Sequence, residues 1–229
     1  MCNFFSAIIL KSGPALFSWD SDSHETIKEE NKLKDNKLPP DFVPVELTPP
    51  GINYGETDLS KWFFKTDLDS IPEWYDPEKA RKKTEEALAI FIKERFLVNQ
   101  ELVEVTNKKL KAIVNCKINK LLNCDVGEML GSSKVGVMRG SSNVGEMWDS
   151  SNVGEMRGSS NVGVMRESSN VGEMRDSSKV GVMRDSSNVG VMWESSKVDK
   201  LTEGATCHKY ENGEYVVYTP AKTVKAVSC

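Results

Sequence analysis

Two apolar residues, valine and methionine, recur three positions apart in a nine-residue repeat that runs from about Cys116 to Val198. Aligned on the valine, eight successive units extend from Val126 to Lys197: VGEMLGSSK, VGVMRGSSN, VGEMWDSSN, VGEMRGSSN, VGVMRESSN, VGEMRDSSK, VGVMRDSSN and VGVMWESSK. Shorter, degraded units precede them, and a further degraded unit follows through Ala205. Atypical end units are typical of solenoid proteins, in which each repeat stacks on its neighbours.

A parallel β-solenoid accounts for this repeat better than a flexible linker, because a linker does not require two apolar residues in every unit. Cys116, Cys124 and Ala205 replace the second serine in the end units, so this small residue is expected to face inward with the valine and the methionine. One unit is too short to surround a core. We expect coils of two units (18 residues), with coils of three units as the alternative. The glycine after each valine is expected at a bend with positive φ.

The residues before the repeat predict a small α/β domain. The turn signal at Gly13-Pro14 separates two β-prone segments, and Asp76, Pro77 and Glu78 together favour the start of a helix. The expected elements are a hairpin (Phe4–Leu10 with Ala15–Trp19), a short helix near His24–Leu33 that is capped by Ser21 or Ser23, two strands (Phe42–Leu47 and Lys61–Thr66) and a longer helix (Pro77–Phe96).

The residues after the repeat predict a β-hairpin. Cys207–Glu211 and Glu214–Tyr218 flank Asn212-Gly213, the strongest short hairpin signal. We expect this hairpin to cover the open end of the last coil, which would otherwise promote end-to-end aggregation. The predicted organisation is therefore a small α/β domain over residues 1–99, a parallel β-solenoid over 100–210 and a C-terminal cap over 211–229. The predicted fold class is an α+β region followed by a β-helix.

Composition and charge argue against two classes of function. A net charge of −4 is unfavourable for a nucleic-acid binder, which needs a basic surface to neutralise phosphates. The apolar run Phe4–Leu10 has no basic residue before it and is too short to span a membrane, so neither a secretory signal nor a membrane anchor is expected. Five scattered cysteines are typical of reduced thiols, and the expected location is the cytoplasm.

No catalytic residues, metal site or cofactor are predicted. The chain has two histidines, and the pair Cys207-His208 supplies only half of the four spaced ligands that a structural zinc site needs. The many serines are repeat positions, which gives no support for a Ser-His-Asp triad. The units also lack the dense carboxylate cage that calcium requires. We therefore expect a protein without enzymatic activity.

The outward-facing residues of the solenoid are the candidate binding residues. With two-unit coils, the residue after each methionine forms two columns on opposite edges, one with Trp148, Arg166 and Arg184 and the other with Arg139, Arg157, Arg175 and Trp193. One interpretation is a solvated surface on which these arginines neutralise the acidic residues that follow them. The other is a flat Arg/Trp face that docks a partner, because Trp and Arg are frequent binding hot spots. The tryptophans favour docking, since they contribute nothing to charge balance.

Four segments carry a resemblance to a known family: FVPVELTPP at Phe42–Pro50, WFFKTD at Trp62–Asp67, PEWYDPEK at Pro72–Lys79, and the nonapeptides. Over nearly its whole length the chain resembles uncharacterised proteins encoded by bacteriophages and bacterial mobile elements, in which a small α/β domain precedes repeats similar to SSNVGEMRD. The resemblance implies a phage or prophage context. It implies no activity, and no functional residues follow from it.

The expected function is that of a non-enzymatic phage or prophage protein in the cytoplasm of its bacterial host. The solenoid would be a rigid platform that binds a host protein, for example as an inhibitor of a defence system. Two alternatives stay open. The protein could sequester a nucleotide signal, with Arg binding phosphates and Trp stacking on the base. It could also be a structural protein that forms homo-oligomers through the solenoid.

Overall fold

The computed structural model describes residues 4–34, 41–50 and 58–220. The chain divides into two compact units, Met1–Glu94 and Arg95–Cys229. The N-terminal unit is a small α/β structure, and the second unit contains the repeats.

The N-terminal unit contains a three-stranded antiparallel sheet with the strand order β1-β2-β3. Its core includes fully buried residues of β1, α1 and β2, among them Ile8, Ile27 and Val45. Its elements are β1 (Phe5–Leu10), α1 (His24–Glu30), β2 (Phe42–Thr48), a 3-10 turn (Leu59–Lys61), β3 (Phe63–Thr66) and α2 (Pro77–Arg95).

The predicted N-terminal hairpin is present only in reduced form. Ile8 and Leu16 exchange two backbone hydrogen bonds of 2.8 and 2.9 Å as a single bridge, and the predicted second strand, Ala15–Trp19, does not extend further. The aromatic side chains that follow pack together instead. The ring of Phe17 lies 5.4 Å from that of Phe5 and 6.1 Å from that of Phe91, so side-chain packing replaces the rest of the ladder.

The predicted start of the long helix α2 is confirmed. Asp76 Oδ1 accepts hydrogen bonds from the backbone N–H groups of Glu78 and Lys79 at 3.1 and 3.2 Å. Hydrogen bonds to the carboxylate hold the pKa of Asp76 below its usual value, with that from Lys79 the largest cause. The helix buries one face at helical spacing, comprising Ala80, Thr84, Ala87, Leu88 and Phe91.

The second unit is a parallel β-solenoid of two facing sheets, as predicted. Successive strands alternate between a seven-stranded sheet, which we call sheet B, and an eight-stranded sheet, which we call sheet C. Sheet B contains β4 (Phe96–Val98), β6 (Lys109–Val114), β8 (Asp125–Leu130), β10 (Asn143–Met147), β12 (Asn161–Met165), β14 (Lys179–Met183) and β16 (Lys197–Leu201). Sheet C contains β5 (Glu101–Thr106), β7 (Lys117–Leu122), β9 (Lys134–Arg139), β11 (Asn152–Met156), β13 (Asn170–Met174), β15 (Asn188–Met192), β17 (Thr206–Glu211) and β18 (Glu214–Tyr218).

The strand register confirms the coil of two units. Val144 pairs with Val162 and Met147 with Met165, so equivalent residues of neighbouring coils lie 18 positions apart. The earliest coils are shorter, because their units turn through a single asparagine with positive φ, as at Asn115 and Asn123. A three-unit coil is therefore excluded for the repeats.

The core of the solenoid consists of stacked valine, methionine and serine side chains. In the repeat units every Val that begins a unit and every Met is at most 1% exposed, and the second Ser is at most 2% exposed. Ser133, Ser142 and Ser196 donate to backbone carbonyls, as from Ser142 Oγ to the carbonyl of Arg139 at 2.7 Å. Five serines between them have no hydrogen-bond partner for Oγ: Ser151, Ser160, Ser169, Ser178 and Ser187.

The expected reason for the glycine after each valine is wrong. These glycines do not have positive φ. A Cβ at Gly163 would instead lie 2.5 Å from the carbonyl oxygen of Gly145 in the preceding coil, and Gly145 stands in the same relation to Gly127, at 2.6 Å. Side chains of a regular strand alternate between its two faces, so residues three positions apart would face opposite sides. The pairing between coils omits the glycine, and this irregularity allows both the valine and the methionine to face inward. Close approach of backbones, not a bend, requires glycine here.

Positive φ occurs at the second residue after each methionine, which we call the turn place. It holds glycine in some units and Asp or Glu in others, as at Asp149 (φ 57°) and Glu167 (φ 53°). Each acidic side chain accepts a hydrogen bond from the backbone N–H at the turn place of the preceding coil. A ladder of carboxylates therefore joins successive coils along both edges.

The predicted C-terminal hairpin is present. β18 pairs antiparallel with β17 through the turn Asn212-Gly213, where both residues have positive φ. The strand β18 extends sheet C by one strand, and Tyr218 packs against the last part of the solenoid core. Its hydroxyl donates to Glu211 Oε1 at 2.5 Å.

Candidate functional site

The register places the predicted binding residues in two columns on opposite edges of the solenoid. They occupy the place after methionine. The backbone N–H of Trp148 donates to the carbonyl of Met129, and that of Arg166 donates to the carbonyl of Met147. These hydrogen bonds between coils align each residue with its equivalent one coil away. Arg139 and Arg184 are exposed. The other members of the columns are half-buried: Trp148, Arg157, Arg166, Arg175 and Trp193.

Three arginines form ion pairs, but with other partners than expected. The acidic residues at the turn place bind backbone N–H groups, and the arginines instead reach the glutamates that precede methionine. Arg157 Nε lies 2.6 Å from Glu155 Oε1, and Arg166 Nε lies 3.0 Å from Glu146 Oε2 in the preceding coil. Arg175 bridges Glu173 at 2.7 Å and Glu155 at 2.9 Å. These ion pairs hold the three guanidinium groups along the sheet surface and leave them fewer N–H groups with which to bind another molecule.

Arg139 and Arg184 form no ion pair within residues 4–34, 41–50 and 58–220. Each follows a valine at the place before methionine, Val137 and Val182. The register puts Lys120 beside Val137 and another valine, Val164, beside Val182, so the preceding coil offers no carboxylate either. Within the described part of the chain, these two exposed guanidinium groups therefore have no ion-pair partner, and they lie next to apolar side chains.

The two tryptophans have different surroundings. The guanidinium carbon of Arg166 lies 4.5 Å from the ring centroid of Trp148, a cation–π arrangement on the sheet B edge. Trp193 packs against the hairpin, with ring centroids 4.8 Å from Tyr210 and 6.1 Å from Tyr215. Trp193 therefore has a contact with the hairpin that the sequence did not predict, and the guanidinium carbon of Arg175 lies 5.8 Å from its ring centroid. Both tryptophans thus lie against an arginine of their own column.

One carboxylate on the outer surface of sheet B is destabilised in its charged form. Burial, and then the neighbouring carboxylate of Glu146 in the next coil, raise the pKa of Glu128 above its usual value. Glu128 and Glu146 pair directly in the ladder. Arg166 neutralises Glu146, and in the described part of the chain no lysine or arginine lies within ion-pair distance of Glu128.

A second polar cluster lies in the N-terminal unit, on β2, at the start of α1 and after β3. His24, Glu46 and Asp67 bring three potential ligand atoms within 4.8 Å of one another. His24 Nε2 donates to the carbonyl of Val45 at 3.1 Å, and its Nδ1 faces Asp67 Oδ2 at 3.7 Å. Lys65 Nζ flanks the two carboxylates, 3.0 Å from Asp67 Oδ1 and 4.0 Å from Glu46 Oε2. The hydrogen bond from Lys65 to Asp67, followed by the charges of Asp67 and Glu46, raises the pKa of Lys65.

Sequence signals for these features differ in kind. The two arginines without an ion pair could have been found in the printed repeat, because Arg139 and Arg184 lack a glutamate both two residues earlier and at the equivalent place of the preceding coil. Arg166 also follows a valine, but Glu146 occupies that place in its preceding coil. The cluster around His24 has no spacing signal, because its members come from segments far apart in the chain. The pairing of β2 with β3, which sets Glu46 opposite Lys65, brings the two carboxylates together, and the hydrogen bond from His24 to Val45 adds the imidazole.

No protein-family model, curated protein or solved structure matches this chain. Among the described residues, no helix is both long and apolar enough to cross a membrane.

Proposed function

We propose that the protein is a non-enzymatic binding protein whose solenoid is a rigid platform for a host macromolecule, most simply a protein with an acidic surface. The single observation that carries the proposal is the pair of exposed arginines, Arg139 and Arg184, which have no ion-pair partner among the described residues, in columns where the other arginines are neutralised. A guanidinium group without an intramolecular partner can form bidentate hydrogen bonds with a carboxylate of another molecule.

The surroundings of Arg184 suit a docking surface. Val164 and Val182 are half-exposed neighbours on the outer surface of sheet B, and Trp148 lies further along the same edge beneath Arg166. Arginine and tryptophan are among the residue types enriched at interface hot spots, and the two valines add apolar contact area beside them. The stacked coils hold the backbones of these residues in fixed register, so binding of a partner costs side-chain entropy but little backbone entropy.

The phage or prophage context, the cytoplasm of the host as location, and inhibition of a defence protein extend this proposal. They rest on the resemblance of the chain to phage-encoded and mobile-element proteins. In that context the acidic partner would be a bacterial protein encountered during infection.

Affinity purification of the tagged full chain from infected bacteria tests the proposal, with the bound material analysed for proteins and nucleotides. We expect a host protein that the double variant Arg139→Gln/Arg184→Gln fails to retain. Trp148→Ala should weaken its binding by about 2 kcal/mol, as is common for aromatic hot spots. The matched control is Arg157→Gln, which alters an ion-paired arginine in the column of Arg139 and should retain the partner.

Other outcomes separate the alternatives. A bound nucleotide without a protein partner would favour sequestration of a signal, and recovery of the chain alone as a stable oligomer would favour a structural role. Equal loss of a protein partner in the Arg157→Gln control and in the double variant would contradict the importance of the free arginines.

A further inference from the structure

The polar cluster of the N-terminal unit has the arrangement of a metal site. We propose that His24, Glu46 and Asp67 bind a divalent transition-metal ion, with Zn²⁺ as the best match. The proposal concerns the N-terminal unit alone and does not depend on the proposed function of the solenoid.

The hydrogen bond of His24 determines which ring nitrogen is available. A carbonyl oxygen can only accept, so the 3.1 Å contact with Val45 places the proton on Nε2. In the neutral imidazole Nδ1 is then a bare lone pair. Histidines that bind metals through one nitrogen almost always donate the other N–H to a carbonyl, a carboxylate or water. The backbone of β2 supplies this second partner here.

Nδ1 of His24 faces a carboxylate. It lies 3.7 Å from Asp67 Oδ2, which is longer than a hydrogen bond, and a cation between the two atoms, either a proton on Nδ1 or a metal ion, stabilises the pair. Bond lengths of about 2.0–2.2 Å at a tetrahedral zinc put neighbouring ligand atoms roughly 3.4 Å apart. The observed separation is close to this value, so small side-chain rotations would bring both atoms to the metal.

The third ligand is held by the sheet. Glu46 lies on β2 directly opposite Lys65 of β3, and only 20% of its side chain is exposed. Asp67 is anchored just after β3 by a hydrogen bond of 2.9 Å from its backbone N–H to the carbonyl of Pro44. One imidazole and two carboxylates are a mixed nitrogen and oxygen set that suits zinc, and three protein ligands leave a coordination position for water.

Lys65 is the group with which a metal must compete. Its ammonium group contacts both carboxylates, yet its side chain is 53% exposed and can swing into solvent. A metal ion would replace one positive charge by two between the same carboxylates. If the cluster is a metal site, removal of Lys65 should therefore strengthen metal binding. If the cluster is only a group of salt bridges, removal of Lys65 would weaken it.

Isothermal titration of the full chain with ZnCl₂, and the visible absorption of bound Co²⁺, test the proposal. We expect one Zn²⁺ per chain. Loss of a ligand in His24→Gln, Glu46→Gln or Asp67→Asn should weaken binding at least 10-fold, whereas Lys65→Met should tighten it several-fold. His24→Gln keeps an amide that can donate to Val45, and circular dichroism of each variant verifies folding. The matched control is His208→Ala, which removes the other histidine of the chain and should bind Zn²⁺ as the wild type does.

Three outcomes would overturn the proposal. These are the absence of stoichiometric Zn²⁺ binding, binding that folded His24→Gln retains in full, and weaker binding in Lys65→Met. Loss of binding in His208→Ala but not in His24→Gln would place the metal in the solenoid unit and likewise reject the site.

Discussion

The backbone N–H of Asp149 donates to Glu167 Oε2 at 3.1 Å, and these two residues occupy the same turn place in successive coils. Glu167 accepts this bond although its own backbone has a φ of 53°, a conformation that costs a residue with a side chain about 1–2 kcal/mol. The cross-coil hydrogen bond offsets part of that strain. Glycine and acidic residues therefore occupy this place for different reasons, glycine for its backbone and the acids for their side chains.

Substitution of Glu167 separates the two effects. Glu167→Ala loses the acceptor and keeps the strain, whereas Glu167→Gly loses the acceptor and relieves the strain. We expect Glu167→Ala to be the less stable of the two by about 1 kcal/mol in urea unfolding. Equal stability of the two variants would show that the turn place carries no left-handed strain.

The inward serines predict unequal responses to the same change. Ser142 Oγ donates to the carbonyl of Arg139, so Ser142→Ala should lower the free energy of unfolding by about 1 kcal/mol. Ser169 Oγ is buried without a partner, and Ser169→Ala should be neutral or stabilising. Chemical denaturation of both variants checks this, and a larger loss in Ser169→Ala than in Ser142→Ala would contradict the assignment.

The inward and outward faces of one strand can be compared directly on β12. Val162 is fully buried, so Val162→Asp should cost several kcal/mol for an unpaired buried charge and unfold the solenoid. Val164, two residues later, faces outward and is half-exposed, and Val164→Asp is the matched control. Circular dichroism during heating should show a large loss of stability for the first variant only.

Glu128 predicts a pH-dependent effect. Its pKa is raised in the folded protein, so the folded state binds this proton more tightly than the unfolded state does, and stability falls as pH rises through the raised value. Glu128→Gln should therefore raise the melting temperature at pH 7 relative to the wild type, with little effect at a pH well below the usual pKa of glutamate. Glu155→Gln is the contrast, because it removes the partner of Arg157 and Arg175 and should lower stability at pH 7.

The sequence predicted the solenoid because its signal is local: a valine and a methionine in every unit specify the inward ladders and, through the alternation of units, the coil. The role of Gly163 was not predictable in this way. Its requirement arises from the carbonyl of Gly145 in the preceding coil, and a pattern along one strand contains no information on the distance to the neighbouring strand. The cluster of His24, Glu46 and Asp67 depends likewise on tertiary pairing in the N-terminal sheet.

Helix and hairpin starts were predictable where a side chain acts on its own backbone, as Asp76 does at the start of α2. The predicted strand at Ala15–Trp19 failed for the opposite reason. Its β-prone residues are also large aromatics, and contacts of Phe17 with Phe91 compete with continued pairing to β1. Intrinsic preference for a strand does not decide between these two outcomes.

The two-unit coil also constrains how the length of this protein can vary in evolution. An insertion or deletion of two nonapeptides adds or removes a whole coil and leaves every other residue on its original edge. Arg139 and Arg184 lie on opposite edges of the present solenoid. Insertion or deletion of one nonapeptide between them would move all later units to the other sheet and place both arginines on the same edge. Natural variants are therefore expected to differ by even numbers of nonapeptides, and the parity of the repeat count becomes a heritable property of the proposed binding surface.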